Sequence, residues 1–393
     1  MVQFASRMDL LKGSEIRELL KLTAQPDILS FAGGMPAPEL FPVEQMMEAS
    51  IAVLKEHGRE ALQYSTTEGF PRLREQIAER MLAKNNIHTD KDHILVTSGS
   101  QQGLDFSARV FLNPGDVVLL ESPSYLGAVN AFKACEPKFI EVPTDDGGMI
   151  MDELEKILAT TERVKMIYVI PDFQNPTGRT WDLDRRHKFM EIVNRYEIPV
   201  IEDNPYGELR FEGESLPYIG GTALPHGVIM GSFSKTVTPG FRMGYILTKD
   251  HALLKAINTA KEAADLHTNV FAQYVILDYL EHNDLDEHLV KIRNLYRDQA
   301  RAMTDAMAEC FPAEVSFTKP EGGMFLWATL PEGINTMDLF PKALERNVAF
   351  VPGEPFYAEP GARSTMRLNF TNADEETIRD GIRRLAEAIA EAL

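Results

Sequence analysis

Between residues 94 and 248, seven short apolar runs rich in β-branched residues alternate with longer segments. They read ILVT (94–97), VVLLE (117–121), KFIEV (138–142), KMIYVI (165–170), IPVIED (198–203), VIMGSF (228–233) and MGYILT (243–248). The runs at 165–170 and 198–203 are almost continuously apolar, and the segment between them, WDLDRRHKFMEIVNRY, has helical period. A strand that is apolar on both faces must be covered on both, which crossover helices achieve for parallel strands. The pattern predicts an α/β fold: a mixed, mostly parallel sheet sandwiched by helices. A shorter segment with Pro239 and Gly240 joins the last two runs and allows one antiparallel strand.

The ends follow a different rhythm. Residues 250 to 310 are mostly helical, and EVSFTKP, GGMFLWATL, VAFVPG and TMRLNF then read as short strands. Ile378, Ile382, Leu385 and Ile389 fall on one face of a closing helix. This is the pattern of a smaller α+β domain. We expect an N-terminal segment (1–50) packed with it, a large domain over 51–285 and the small domain over 286–393.

The chain of 393 residues carries 59 acids against 40 Lys and Arg, a formal net charge of −19. Such a balance disfavours nucleic acid and anionic membrane surfaces, which recruit clustered cations. Two cysteines, Cys135 and Cys310, exclude a disulfide framework and a multi-thiolate metal site, so no metal is expected. The opening MVQFASRMDLLKGSEIREL lacks a signal-peptide apolar run, and no stretch approaches ~18 uncharged apolar residues. A soluble, cytoplasmic protein is expected.

Four loops fall at the carboxyl ends of predicted strands, where open α/β sheets place ligands. Thr97-Ser98-Gly99-Ser100-Gln101-Gln102-Gly103 opens a helix whose free N–H groups suit a phosphate or a plain cap. Asp172-Phe173-Gln174-Asn175-Pro176-Thr177-Gly178-Arg179 is a turn that leaves Asn175 free to donate a hydrogen bond. Ile201-Glu202-Asp203-Asn204-Pro205-Tyr206 ends a strand on two acids; Glu202 suits a solvated strand end, whereas an interior Asp203 demands a cationic partner. In Gly231-Ser232-Phe233-Ser234-Lys235 a lysine follows an apolar strand, with Arg242 seven positions on. Burial and a neighbouring cation would favour its neutral, nucleophilic form, which makes Schiff bases with aldehydes. Ser232, Ser234 and Arg242 suit a phosphate on the same ligand.

Taken together, SGSQQG, PSY, QNPTG, EDNPY, SFSK…PGFRMGY and MRLNF resemble the fold-type-I pyridoxal-phosphate (PLP) enzymes, and among them the class I/II aminotransferases. IRELLKLT…ILSFAGGMPAPELFP and LQYSTTEGFPRLREQIA are similar to the 2-aminoadipate and kynurenine branch, which includes broad-specificity enzymes. The resemblance implies that Lys235 forms the Schiff base with pyridoxal 5'-phosphate and moves the proton. It implies that Asp203 pairs with the pyridine nitrogen, that Tyr206 and Asn175 bond the phenolic oxygen, and that Tyr125 stacks on the ring. Ser100, Gln101, Ser232, Ser234 and Arg242 would form the phosphate cup, and Tyr64 would reach the phosphate of a neighbouring subunit in a homodimer. Arg367 would take the substrate α-carboxylate as a bidentate fork, Gly34 would line the pocket, and Arg17 would meet a distal carboxylate. The implied reaction is a two-step transamination between an L-amino acid and a 2-oxo acid, the implied partners being 2-aminoadipate, glutamate, aromatic or branched-chain donors and 2-oxoglutarate as acceptor.

Other classes are separable. Ser232-x-x-Lys235 fits the penicillin-binding acyl enzymes, whose companion motifs the chain lacks. A non-catalytic PLP-binding effector domain of a regulator would follow a winged-helix domain, and a β-lyase would share the fold while changing the reaction.

Overall fold

The computed structural model describes residues 2–11, 27–220, 224–361 and 363–393. After β1 (Leu29–Ser30), eight strands form one sheet: β2 (Ile94–Thr97), β3 (Val117–Ser122), β4 (Lys138–Asp145), β5 (Gly148–Met149), β6 (Val164–Val169), β7 (Val200–Asp203), β8 (Gly227–Ser232) and β9 (Gly244–Leu247). Their spatial order is β2-β9-β8-β7-β6-β3-β4-β5. β9 runs antiparallel to both neighbours, as the short connection allowed. The two-residue β5, antiparallel to β4, is an edge hairpin that its own sequence did not signal.

The doubly apolar runs have the predicted cause. In β3, Val118 and Leu120 join one core while Val117 and Leu119 join another; Met166 and Tyr168 of β6 oppose Ile167 and Val169 in the same way. Side chains alternate across a strand, so each run must be apolar twice over. Helices Ser100–Phe111 and Leu183–Tyr196 supply cover on the two faces.

The C-terminal strands β10 (Ser316–Phe317), β11 (Phe325–Thr329), β12 (Val348–Ala349), β13 (Val351–Pro352) and β14 (Thr365–Asn369) follow a 26-residue helix, Leu285–Cys310. Four of them make a sheet in the order β10-β11-β14-β13, and β12 pairs in parallel with β1. The closing helix Glu375–Ala390 buries Ile378, Ile382, Leu385 and Ile389, the face its spacing defined. Among the described residues no helix is long and apolar enough to cross a membrane.

Candidate active site

β2, β3, β6, β7 and β8 point the same way, so their carboxyl ends open onto one edge of the sheet. There they surround a cavity of about 570 Å³, closed from the other side by β11 and β14. Twelve sequence-identified residues line it: Gly34, Ser100, Gln101, Tyr125, Asn175, Asp203, Tyr206, Ser232, Ser234, Lys235, Arg242 and Arg367. Tyr64 does not: it is 78% exposed, with its ring beside His267. Arg17 lies outside the described residues.

One end of the cavity is built for an anion. Helix Ser100–Phe111 begins with no side-chain cap, so its first N–H groups are open to a ligand. Gly99 precedes it at φ 76°, and a Cβ there would lie 2.6 Å from Arg242 Nη2, so only glycine lets the guanidinium approach. Arg242 donates to Ser234 Oγ (3.4 Å) and to the Pro239 carbonyl (3.2 Å). The Ser232 hydroxyl accepts from the Ser234 N–H (3.1 Å). A phosphate fits these donors.

At the floor, Lys235 Nζ donates to the Gly34 carbonyl (2.7 Å). Burial, with Arg367 and Arg242 nearby, lowers its pKa to about 8. Asp203 ends β7 and is buried. Its Oδ2 accepts from the Tyr168 hydroxyl (2.9 Å), whereas Oδ1 is buried without a partner. Burial pushes this carboxyl up to about 7, against the opposing effect of the Tyr168 bond. A buried oxygen that lacks a donor is costly unless a ligand brings one, and a protonated ring nitrogen is such a donor.

The second cation lies opposite. Arg367 Nη1 donates to Asn175 Oδ1 (2.9 Å) and Nη2 to the Ala32 carbonyl (2.9 Å); Nε is buried without a partner. Its guanidinium stacks on Phe325 (4.3 Å) and lies over Phe356 (5.1 Å). Burial lowers its pKa to about 10, still charged at neutral pH. Asn175 also donates through Nδ2 to the Tyr206 hydroxyl (3.5 Å), and burial raises the phenol above its usual range.

Sequence reasoning missed three of these neighbours: Tyr168, Phe325 and Phe356. Tyr168 was legible in principle, since a polar tip inside an apolar run needs a partner. It also misread Glu202, which is fully buried rather than solvated; its carboxylate accepts from the Ile219 N–H (2.9 Å) and the Gly220 N–H (2.5 Å). A strand end is solvated only if no loop folds over it, and here 219–220 does.

The comparisons agree with this chemistry. The family model described as Aminotransferase class I and II matches residues 27–385. Aromatic-amino-acid aminotransferase 1 of Thermococcus litoralis is 48% identical over 388 residues, 98% of this chain and 93% of the relative. A crystal structure of kynurenine aminotransferase from Pyrococcus horikoshii superposes with a TM-score of 0.95 at 43% identity, over 99% of this chain and 97% of that one. One of α-aminoadipate aminotransferase from Thermus thermophilus, complexed with N-(5'-phosphopyridoxyl)-L-leucine, does so with 0.92 at 42% identity, over the same shares. The fold is that of the fold-type-I PLP enzymes, and the chain belongs to the class I and II aminotransferases, transferring amino groups between amino acids and 2-oxo acids with pyridoxal phosphate.

Proposed function

We propose that this enzyme is a broad-specificity aminotransferase using 2-aminoadipate, glutamate, aromatic or branched-chain L-amino acids as donors and 2-oxoglutarate as acceptor. One observation carries the reading. An uncountered lysine, a half-satisfied aspartate and a stacked arginine face a single cavity. Ser100, Gln101, Ser232, Ser234 and Arg242 would hold the cofactor phosphate, Asp203 its ring nitrogen, Asn175 and Tyr206 its phenolic oxygen, and Tyr125 its ring face. When bound, the cofactor supplies an aldehyde that takes up the amino group and a ring that accepts electrons from the substrate Cα.

Arg367 orients the substrate by its α-carboxylate, and Phe325 and Phe356 fix the guanidinium plane for that task. Lys235, whose pKa burial and the two arginines lower to about 8, has a neutral fraction near that pH with which it removes the Cα proton, returning it on the far side of the transfer. Ile170, Leu126 and the two phenylalanines give the cavity apolar wall, which supports aromatic and branched side chains. For dicarboxylic donors we assign the distal carboxylate to Arg17.

The reading extends to a cytoplasmic homodimer and to the domain division 1–50, 51–285 and 286–393. Both cysteines are free, as a reducing compartment requires. Helix Val43–Glu56 exposes Val43, Met47, Ile51 and Leu54 at spacings of one turn, an apolar stripe suited to a second copy. Tyr64 would enter the partner's phosphate site. Pairing of β1 with β12 supports grouping the N-terminal segment with the small domain.

The test is a half-reaction screen. Each amino acid is mixed with the PLP-loaded protein and conversion to pyridoxamine phosphate is followed spectroscopically. Conversion by glutamate, 2-aminoadipate, leucine and phenylalanine is expected; conversion by one alone overturns the breadth. In Arg17→Ala the dicarboxylic donors should fail selectively, and a uniform loss removes the Arg17 assignment.

A further inference from the structure

β6 and β7 run parallel with Tyr168 opposite Ile201. Asp203 lies two residues beyond Ile201, on the same face of the sheet, because side chains alternate with period two. A tyrosine leaning forward along its strand therefore meets the aspartate of the next. The hydroxyl does so at 2.9 Å, and both side chains are buried. The Tyr168 ring is held edge-on to Phe132, with centroids 5.6 Å apart and planes at 78°. The hydroxyl thus occupies Oδ2 and leaves Oδ1 without a partner.

We propose that Tyr168 is a positioning residue, which fixes Asp203 as a carboxylate with Oδ1 free for the cofactor, so that the proton they share rests on the ring nitrogen. The inference builds on the assignment of Asp203 to that nitrogen. Its chemistry is a competition for one proton between a carboxylate and a pyridine, both out of water. A neutral Asp203 would leave the ring neutral and a poor electron acceptor. The hydroxyl stabilises the ionised carboxylate more than the neutral acid, since an acceptor oxygen strengthens as it gains charge. Burial alone would push Asp203 the other way, and Tyr168 opposes it.

The experiment uses apoprotein reloaded with PLP carrying ¹⁵N in the ring, for wild type, Tyr168→Phe and Asp203→Asn. The readouts are the ring ¹⁵N shift and the PLP dissociation constant. In Tyr168→Phe the shift should move from the pyridinium toward the neutral value, and PLP should bind roughly tenfold more weakly or worse, the size of one buried hydrogen bond to a charge. Tyr168→Leu carries the same expectation should the phenyl variant not fold. Tyr168→His, which restores an N–H donor, should recover part of the shift. A purely structural tyrosine would lower the unfolding temperature and leave the ¹⁵N shift where it is, and that result overturns the proposal. If Asp203→Asn itself leaves shift and affinity unchanged, the assignment of Asp203 fails first. If Asp203→Asn moves both and Tyr168→Phe moves neither, only the role of Tyr168 falls.

Discussion

Among the described residues, four of the cations held away from bulk water differ in what faces them. Lys261 and Arg186 are fully buried, and each meets a carboxylate: Lys261 holds Asp265 (2.8 Å) and Arg186 holds Asp172 (2.7 Å). Lys235 and Arg367 line the cavity and, among the described residues, meet only neutral oxygens, from Gly34, Asn175 and Ala32. The first pair is complete and therefore structural. The second is incomplete, and its missing anions are what a phosphate-bearing aldehyde and an amino acid would bring. Burial of a charge is informative only together with its counter-ion.

The contrast breaks most visibly at the complete pair. Asp172→Ala leaves Arg186 charged and buried with only the Trp181, Pro171 and Pro217 carbonyls and no counter-ion, so urea unfolding should show a loss of about 3–5 kcal/mol. A loss below about 1 kcal/mol would mean that water or a rearranged neighbour satisfies Arg186. Arg367→Leu should have the opposite profile. Stability is kept, because no carboxylate is orphaned, while kcat/KM falls by about 100-fold, a hydrogen-bonded charge being worth up to about 3 kcal/mol. Arg367→Lys should recover little of it, since a point charge cannot replace the planar fork between Phe325 and Phe356.

A smaller effect is set by pH. Lys235 must be neutral to attack, and its pKa is lowered to about 8. Capture of PLP by the apoprotein should therefore quicken about tenfold per pH unit up to about 8 and level off above it, the neutral fraction being then complete. A rise continuing toward 10 would place Lys235 in ordinary solvent. The least effect belongs to a solvated pair: Arg383→Ala, which removes the exposed contacts with Asp380 and Glu387, should leave the urea midpoint where it is.

What the sequence revealed follows the same division. The sheet was legible because doubly apolar runs and helical periods are local patterns, and its antiparallel member followed from a short connection. The cavity loops were legible because each packs its chemistry into a few consecutive residues, as Ser232 to Lys235 does. Partners brought from far along the chain were not. Arg367 reaches Ala32 across 335 positions, and Phe325 and Phe356 enter from different strands and turns of the small sheet. Tyr168 and Glu202 were legible only in part: a polar group inside an apolar run asks for a partner, but which partner shows only once the neighbouring strand or loop is in place.

The most direct test of transamination follows the nitrogen atom. PLP-loaded protein is mixed, without any acceptor, with one equivalent of ¹⁵N-labelled L-amino acid, and the cofactor is recovered for mass spectrometry. Amino transfer requires labelled pyridoxamine phosphate in amounts matching the sites, together with the corresponding 2-oxo acid. Free labelled ammonia with the cofactor recovered unchanged would instead mean that the amino group is eliminated rather than carried, and would contradict the assignment.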